Sequence, residues 1–267
     1  MIKPGEIQKK ARAESVRDQQ IEKDYVLSWI LQGIAWNENL SNIIVFKGGT
    51  VLKKVYFEDY RFSEDLDFTL LDDSVSNEWI FMHFNKAFAY IKEKANIPLV
   101  ITHNTEHEDG GINFYINYTG PLGGLGANKK VKVDISRNEQ LQFEPIWKNL
   151  FLCYSDQEKH KLLCYSPEEI LVEKLRSVMQ RMQARDFYDI WHLLEEYGLE
   201  VDQYINEFIK KCKYKGLDPK NILNKLEHRI PQYKARWRKT MKGQIQALPE
   251  FDMVEREVMR HIKKLKF

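Results

Sequence analysis

Three short stretches of this sequence set chemistry-bearing residues at spacings with physical consequences. Phe46-Lys47-Gly48-Gly49-Thr50 ends an apolar run in two glycines and then opens a helix-forming stretch. Glycines let backbone N–H groups approach a ligand closely. A helix start adds unpaired N–H donors and the positive end of the helix dipole, which suits phosphate. Neither GxxxxGK(S/T) nor GxGxxG is present, so a plain tight turn is the competing reading. In Arg61-Phe62-Ser63-Glu64-Asp65-Leu66-Asp67-Phe68, Asp65 and Asp67 stand two apart at the start of a strand and project from one face. Carboxylates so placed repel each other unless a cation lies between them. A hard divalent ion with oxygen ligands, Mg²⁺ or Mn²⁺, resolves the repulsion, and solvated acids at a strand edge are the alternative. In Lys132-Val133-Asp134-Ile135-Ser136, Asp134 lies on the polar face of an alternating strand. Beside the Asp-x-Asp strand it would be the third carboxylate that two-metal phosphoryl transfer uses; alone it reads as a surface acid.

Residues 6–18 and 22–36 have helical period, and the apolar run ending at Phe46 reads as a buried strand. Thr50–Glu58 reads as a helix opening directly after the glycines, and residues 66–70 as a second strand. Residues 77–95 form an amphipathic helix with Trp79, Phe81, Phe84, Phe88 and Ile91 on its apolar stripe. Strands follow at about 97–105 and 112–119, joined by the turn signal Asp109-Gly110-Gly111. A glycine-rich loop, Gly120 to Gly126, then leads into the strand Lys130–Ser136. Ser166-Pro167-Glu168-Glu169 reads as a helix start, with Ser166 as N-cap and Glu169 completing a capping box. From there the period is helical, broken at Gly198, Gly216–Pro219 and Pro231. The fold class expected is α+β. A mixed sheet flanked by helices, residues 1–150, precedes a helical domain, residues 151–267.

Composition restricts the function classes. The 267 residues are 43% hydrophobic and 30% charged, as in globular proteins. No apolar run is long enough to span a bilayer, and no secretory signal is visible, so a cytoplasmic protein without membrane partners is expected. Cys153, Cys164 and Cys212 are far apart and odd in number, which reads as free thiols. Residues 209–243 hold twelve Lys/Arg against two Asp/Glu, +10 in a chain of net charge +2, so the remainder is −8. Such a block suggests a polyanionic partner or a solvated helical face. Tyr233 and Trp237 within it would stack on bases, or else face the core. His103 and His107 invite a zinc reading, but they fall at a strand end and turn, where residues four apart do not meet. His192 beside Trp191 reads as packing. Lys174, Arg181 and Arg185 share one face if their helix is unbroken.

The order of these motifs is that of a nucleotidyltransferase palm, and the resemblance goes further. FKGGTVLKKVYFEDYRFSEDLDF closely resembles the start of the AbiEii/AbiGii toxin family of nucleotidyltransferases, which includes the MenT toxins. IEKDYVLSWIL is similar to that family's N-terminal helix. EILVEKLR followed by RDFYDIW is similar to its later signature, a helical lysine and RDxxDxW. The resemblance covers about residues 20–200.

It implies residue roles. Gly48, Gly49 and Thr50 would cradle a triphosphate. Lys54, on the first helix, would face the phosphates or solvent, and Ser63 would donate to a phosphate oxygen. Asp65 and Asp67 would bind the metal, with Asp134 as the less regular third ligand. Lys174 would neutralise triphosphate charge, Asp186 would be needed for activity, and Arg185 and Asp189 would tie the two halves together. The implied activity is Mg²⁺- or Mn²⁺-dependent transfer of NMP from an NTP to an acceptor hydroxyl. The implied acceptor is RNA, plausibly a tRNA 3′ end, and the implied role is the toxin of a toxin–antitoxin or phage-defence pair with a cognate antitoxin. The same palm acting on a protein or small molecule, or a non-catalytic binding palm, are the alternatives.

Overall fold

In the computed structural model, residues 1–108, 110–124 and 129–267 are described. Asp109, in the expected hairpin turn, and residues 125–128, which include the end of the expected glycine loop, lie outside them. Two compact units divide the chain. One is Met1–Glu139 with Pro145–Cys164; the other is Gln140–Glu144 with Tyr165–Phe267.

The first unit begins with α1 (Pro4–Ala13) and α2 (Asp18–Trp36). α2 is buried on nearly all sides, including Glu22, Asp24, Ser28 and Gln32. Buried polar groups need partners, and these have them. Asp24 takes Lys54 at 2.7 Å and the Tyr154 hydroxyl at 2.8 Å. Glu22 accepts from Leu122 N at 2.8 Å and pairs with Lys129 at 2.9 Å. The short α3 (Glu38–Ser41) precedes β1 (Ile44–Lys47), α4 (Gly48–Val51) and a widened π-helical turn, Leu52–Tyr56. β2 (Asp65–Leu70) and α5 (Asn77–Ala95) follow. α5 is capped by the Ser76 hydroxyl, which accepts from Trp79 N at 3.2 Å, and it ends at Asn96 with φ +54°. Gly33 lets α5 approach α2, since a Cβ there would sit 2.6 Å from Ile91 Cδ1.

β3 (Leu99–Glu106), β4 (Ile112–Tyr118), β5 (Lys130–Ser136), β6 (Ile146–Asn149) and β7 (Lys161–Cys164) complete a seven-stranded sheet among the described residues, in order β3-β4-β5-β2-β1-β7-β6. β2 runs parallel to β5 and β1 parallel to β7; the other neighbours are antiparallel. β7 lies beyond residue 150, where only helix was expected. Four residues alternating in burial are too short to impose a period on a sequence window.

The second unit holds α6 (Pro167–Gln180), α7 (Ala184–Trp191), α8 (Ile205–Tyr214), α9 (Ile222–Met241) and α10 (Phe251–Ile262). Ser166 Oγ caps α6 by accepting from Glu169 N at 3.2 Å. The capping box is not completed. The Glu169 carboxylate instead pairs with buried Lys211 at 2.7 Å and accepts from Gln142 N at 2.7 Å and Phe143 N at 2.9 Å. Charge-assisted contacts inside the unit outweigh one local cap bond. α9 runs through Pro231, which was expected to break it. Pro231 is exposed, so the backbone carbonyl it leaves without an in-helix donor can be solvated. No helix among the described residues is long and apolar enough to cross a membrane.

Candidate active site

Register brings the first unit's charged residues together. Lys47 of β1 pairs with Asp67 of β2, Asp67 with Asp134 of β5, and Asp134 with Asn113 of β4. Residues opposed across neighbouring strands share a face, and Asp65, two before Asp67, joins them. The alternation in β2 is consistent: Leu66 and Phe68 are fully buried while Asp65 and Asp67 are half-buried.

The Gly48-Gly49 turn sits against this face. Gly48 has φ +79°, and a Cβ there would collide with the Asp67 carboxylate. A Cβ on Gly49 would collide with the guanidinium of buried Arg61. A side chain at either position would push Asp67 or Arg61 aside, and Gly48 is also favoured by its backbone conformation. Thr50 Oγ1 donates to Asp65 O at 2.5 Å, tying the helix start to the first residue of β2. The Thr50 side chain is thus engaged within the fold, and its contribution to a phosphate cradle would come from its N–H. Lys53 donates to Tyr60 O at 3.1 Å and lies 4.1 Å over the Phe62 ring, which fastens the segment leading to β2. Ser63 is buried in that segment, two residues before Asp65.

Two residues enter the site that spacing did not single out. Lys47 is 5% exposed, stands on the carboxylate face, and donates to Ser136 Oγ at 3.0 Å. Its signal was a lysine closing an otherwise apolar strand, since a buried ammonium needs partners. Arg61 is 2% exposed and donates to Phe62 O at 3.2 Å while backing Gly49. One expected ligand goes elsewhere. Lys54 faces neither phosphate nor solvent: it is 1% exposed, paired with Asp24 and bonded to Ser28 Oγ at 2.8 Å. Burial would raise the Asp24 pKa, but Lys54, Lys53 and the Tyr154 hydroxyl outweigh it and hold it below the ordinary carboxylate range.

Asp134 Oδ2 lies 3.6 Å from both Lys132 Nζ and His107 Nε2. Among the described residues no group of three His, Cys, Asp or Glu side chains closes on a common point. The donor set of Asp65, Asp67 and Asp134 nevertheless fits a hard divalent cation in kind: carboxylate oxygens, on one face, beside a glycine cradle.

In the second unit, Lys174 of α6 pairs with Asp186 at 2.6 Å and with fully buried Asp189 at 2.9 Å. Arg181 forks onto Asp186, Nε to Oδ2 at 2.7 Å and Nη2 to Oδ1 at 3.1 Å. Burial pushes the Asp186 pKa up, but Lys174 and Arg181 prevail and hold it below its usual range. The helix is not continuous from Lys174 to Arg185: α6 stops at Gln180 and α7 starts at Ala184. Arg181 reaches Asp186 because of that break, not by sharing a helical face. Asp189 serves Lys174 within its own unit. Tyr233 and Trp237 face the core, 1% and 2% exposed, so they offer bases no platform. His192 stacks on Tyr188, and burial, opposed by Asp189, lowers its pKa to about 4.

The model of the AbiEii nucleotidyl transferase toxins of type IV toxin–antitoxin systems matches residues 29–257, and the chain belongs to that family. It is a nucleotidyltransferase, with a nucleotide substrate and a cognate antitoxin implied by the family. No curated protein matches the chain. Its fold is similar to that of MenT4, a nucleotidyltransferase toxin from Mycobacterium tuberculosis (TM-score 0.59, 17% identity, 100% of both chains). It is also similar to that of JHP933 from Helicobacter pylori (TM-score 0.58, 15% identity, 94% of this chain and 93% of that one).

Proposed function

We propose that this protein transfers a nucleoside monophosphate from an NTP to a hydroxyl of RNA, a tRNA 3′ end being the acceptor of choice, and acts as a toxin. The observation that carries this reading is the register placing Lys47, Asp67 and Asp134 side by side next to Gly48 and Gly49. The N–H groups of Gly48, Gly49 and Thr50 would hold the triphosphate, with Ser63 donating to a phosphate oxygen. Asp65, Asp67 and Asp134 would hold Mg²⁺ or Mn²⁺, which supplies charge neutralisation at the phosphates and orients them for in-line displacement. The acceptor oxygen bonds to the α-phosphorus, the bond to the β-phosphate breaks, and pyrophosphate leaves. A carboxylate of this face accepts the hydroxyl proton. Lys47 keeps the carboxylate face compact by offsetting its charge, and in the second unit the buried Lys174–Asp186 pair holds α6 to α7.

Label transfer tests this. Protein, total bacterial RNA, Mg²⁺ and each α-³²P NTP in turn should label tRNA-sized RNA with one or two of the four nucleotides, and Asp65→Asn should give none. Label that survives RNase and yields to protease would move the acceptor to protein. Absence of both label and pyrophosphate release would overturn the transferase reading of this face.

A further inference from the structure

We infer that one face of α9 is a docking surface for the double-stranded stem of a folded RNA, bound through phosphates and without base stacking. This rests on the RNA-acceptor reading above. The basic segment does not act as one patch. Lys211 is spent on Glu169 inside the unit, and Lys234 and Arg238 are paired with Asp252 at 2.7 Å and Glu250 at 2.7 Å at the start of α10. Glu227 falls on that same flank of α9. At 100° per residue, Lys225, His228, Arg229, Gln232, Arg236 and Lys239 make a different stripe, with no acid among those positions. Asp218, the remaining acid of the segment, lies ahead of the helix and is engaged with Lys220 N and Asn221.

The stripe is built, not merely charged. Lys225 donates to Met179 O at 3.2 Å and Arg229 to Val178 O, so both cations are held against the carbonyl end of α6. With Asn221, Asn224 and His228 they line a concavity of about 300 Å³. Arg236 and Lys239 are exposed and have no ion-pair partner among the described residues. From Lys225 to Lys239 the stripe runs about 21 Å along the helix axis. Cations ordered over such a length follow a phosphate backbone. With Tyr233 and Trp237 in the core, the face has nothing on which unpaired bases would stack, which favours a stem recognised by shape and charge.

The test uses the full chain and a fluorescein-labelled RNA hairpin of mixed sequence, titrated across a salt series. Arg236→Gln/Lys239→Gln should weaken binding about tenfold and reduce the slope of log K against log salt by about two. Lys234→Gln/Arg238→Gln removes the same charge from the paired flank and should change binding less than twofold. In label transfer the first pair should raise KM for RNA and leave kcat unchanged. Equal losses in both pairs, equal affinity of the stripe variant and wild type, or binding to anionic vesicles but not to the hairpin would each overturn the inference. Stripe-dependent hairpin binding without any transfer to RNA would keep the surface and sink the acceptor reading. Transfer to RNA unaffected by the stripe substitutions would do the reverse.

Discussion

Asp24 and Asp67 are carboxylates of the same unit, and the same kind of residue does opposite work in the two places. Asp24 is fully enclosed, with Lys54 at 2.7 Å and the Tyr154 hydroxyl at 2.8 Å on one oxygen. Asp67 is half-buried on the sheet face, beside Asp134 in register and against a glycine with no room for a methyl group. The first arrangement is closed by the protein's own cation. The second gathers acids on a half-buried face of interior strands, beside Lys47 in register and with Lys132 and His107 each 3.6 Å from Asp134. Pairing and burial together separate a structural charge from a chemical one; residue type does not. The lysines repeat the lesson, since Lys54 is consumed by the core while Lys47 stands on the carboxylate face.

The largest effect expected from this contrast is on transfer. Asp67→Asn keeps the side chain's size and removes its charge, so label transfer should fall by roughly 10³-fold or more, as when a group acting directly on the reacting centre is lost. Its thermal midpoint should fall by no more than about 5 °C, because the position is only half-buried and the amide keeps the side chain's size. A variant that keeps a tenth of wild-type turnover would break the comparison on the chemical side.

Lys54→Met tests the other side. It leaves the Asp24 carboxylate enclosed without its nearest cation, which should cost about 3–5 kcal/mol of unfolding free energy by urea titration. Asp24→Asn/Lys54→Met should recover much of that loss, and it should alter the acid limb. The folded pKa of Asp24 lies below its unfolded value of about 3.9, so its contribution is complete above that value and lost as pH falls through the folded one. The double variant should therefore lose stability less steeply below about pH 4. Loss of transfer by Lys54→Met with unchanged stability would instead give this lysine the phosphate role its position in the family motif implies.

Much of the fold was legible because it rests on local signals. The period of α5, the alternation of β5 and the Ser166 cap are each written within a few residues. The Asp-x-Asp pair and the Gly-Gly turn were legible for the same reason, and family likeness supplied their order. What stayed hidden depends on partners far away in sequence. Nothing near Lys54 says that Asp24 and Ser28 will enclose it, and nothing near Glu169 says that Lys211 will take its carboxylate from the cap. Lys47 could have been flagged as an ammonium in a buried strand, but its neighbour Ser136 lies 89 positions away. The strand β7 escaped because four residues carry too little pattern, and the break at Arg181 because no glycine or proline marks it.

The smallest effects separate a glycine kept for its backbone from one kept for what lies against it. Gly216 has φ +67° with nothing near its missing Cβ, whereas Gly48 has φ +79° with the Asp67 carboxylate in the way. Gly216→Ala should cost only the left-handed strain, about 1 kcal/mol, with transfer unchanged. Gly48→Ala adds displacement of Asp67 to similar strain, so it should lower kcat at least about tenfold beyond what its stability loss explains. Equal behaviour of the two variants would mean that the contact between the glycine turn and Asp67 positions nothing. In that case the carboxylate face would be organised by sheet register alone.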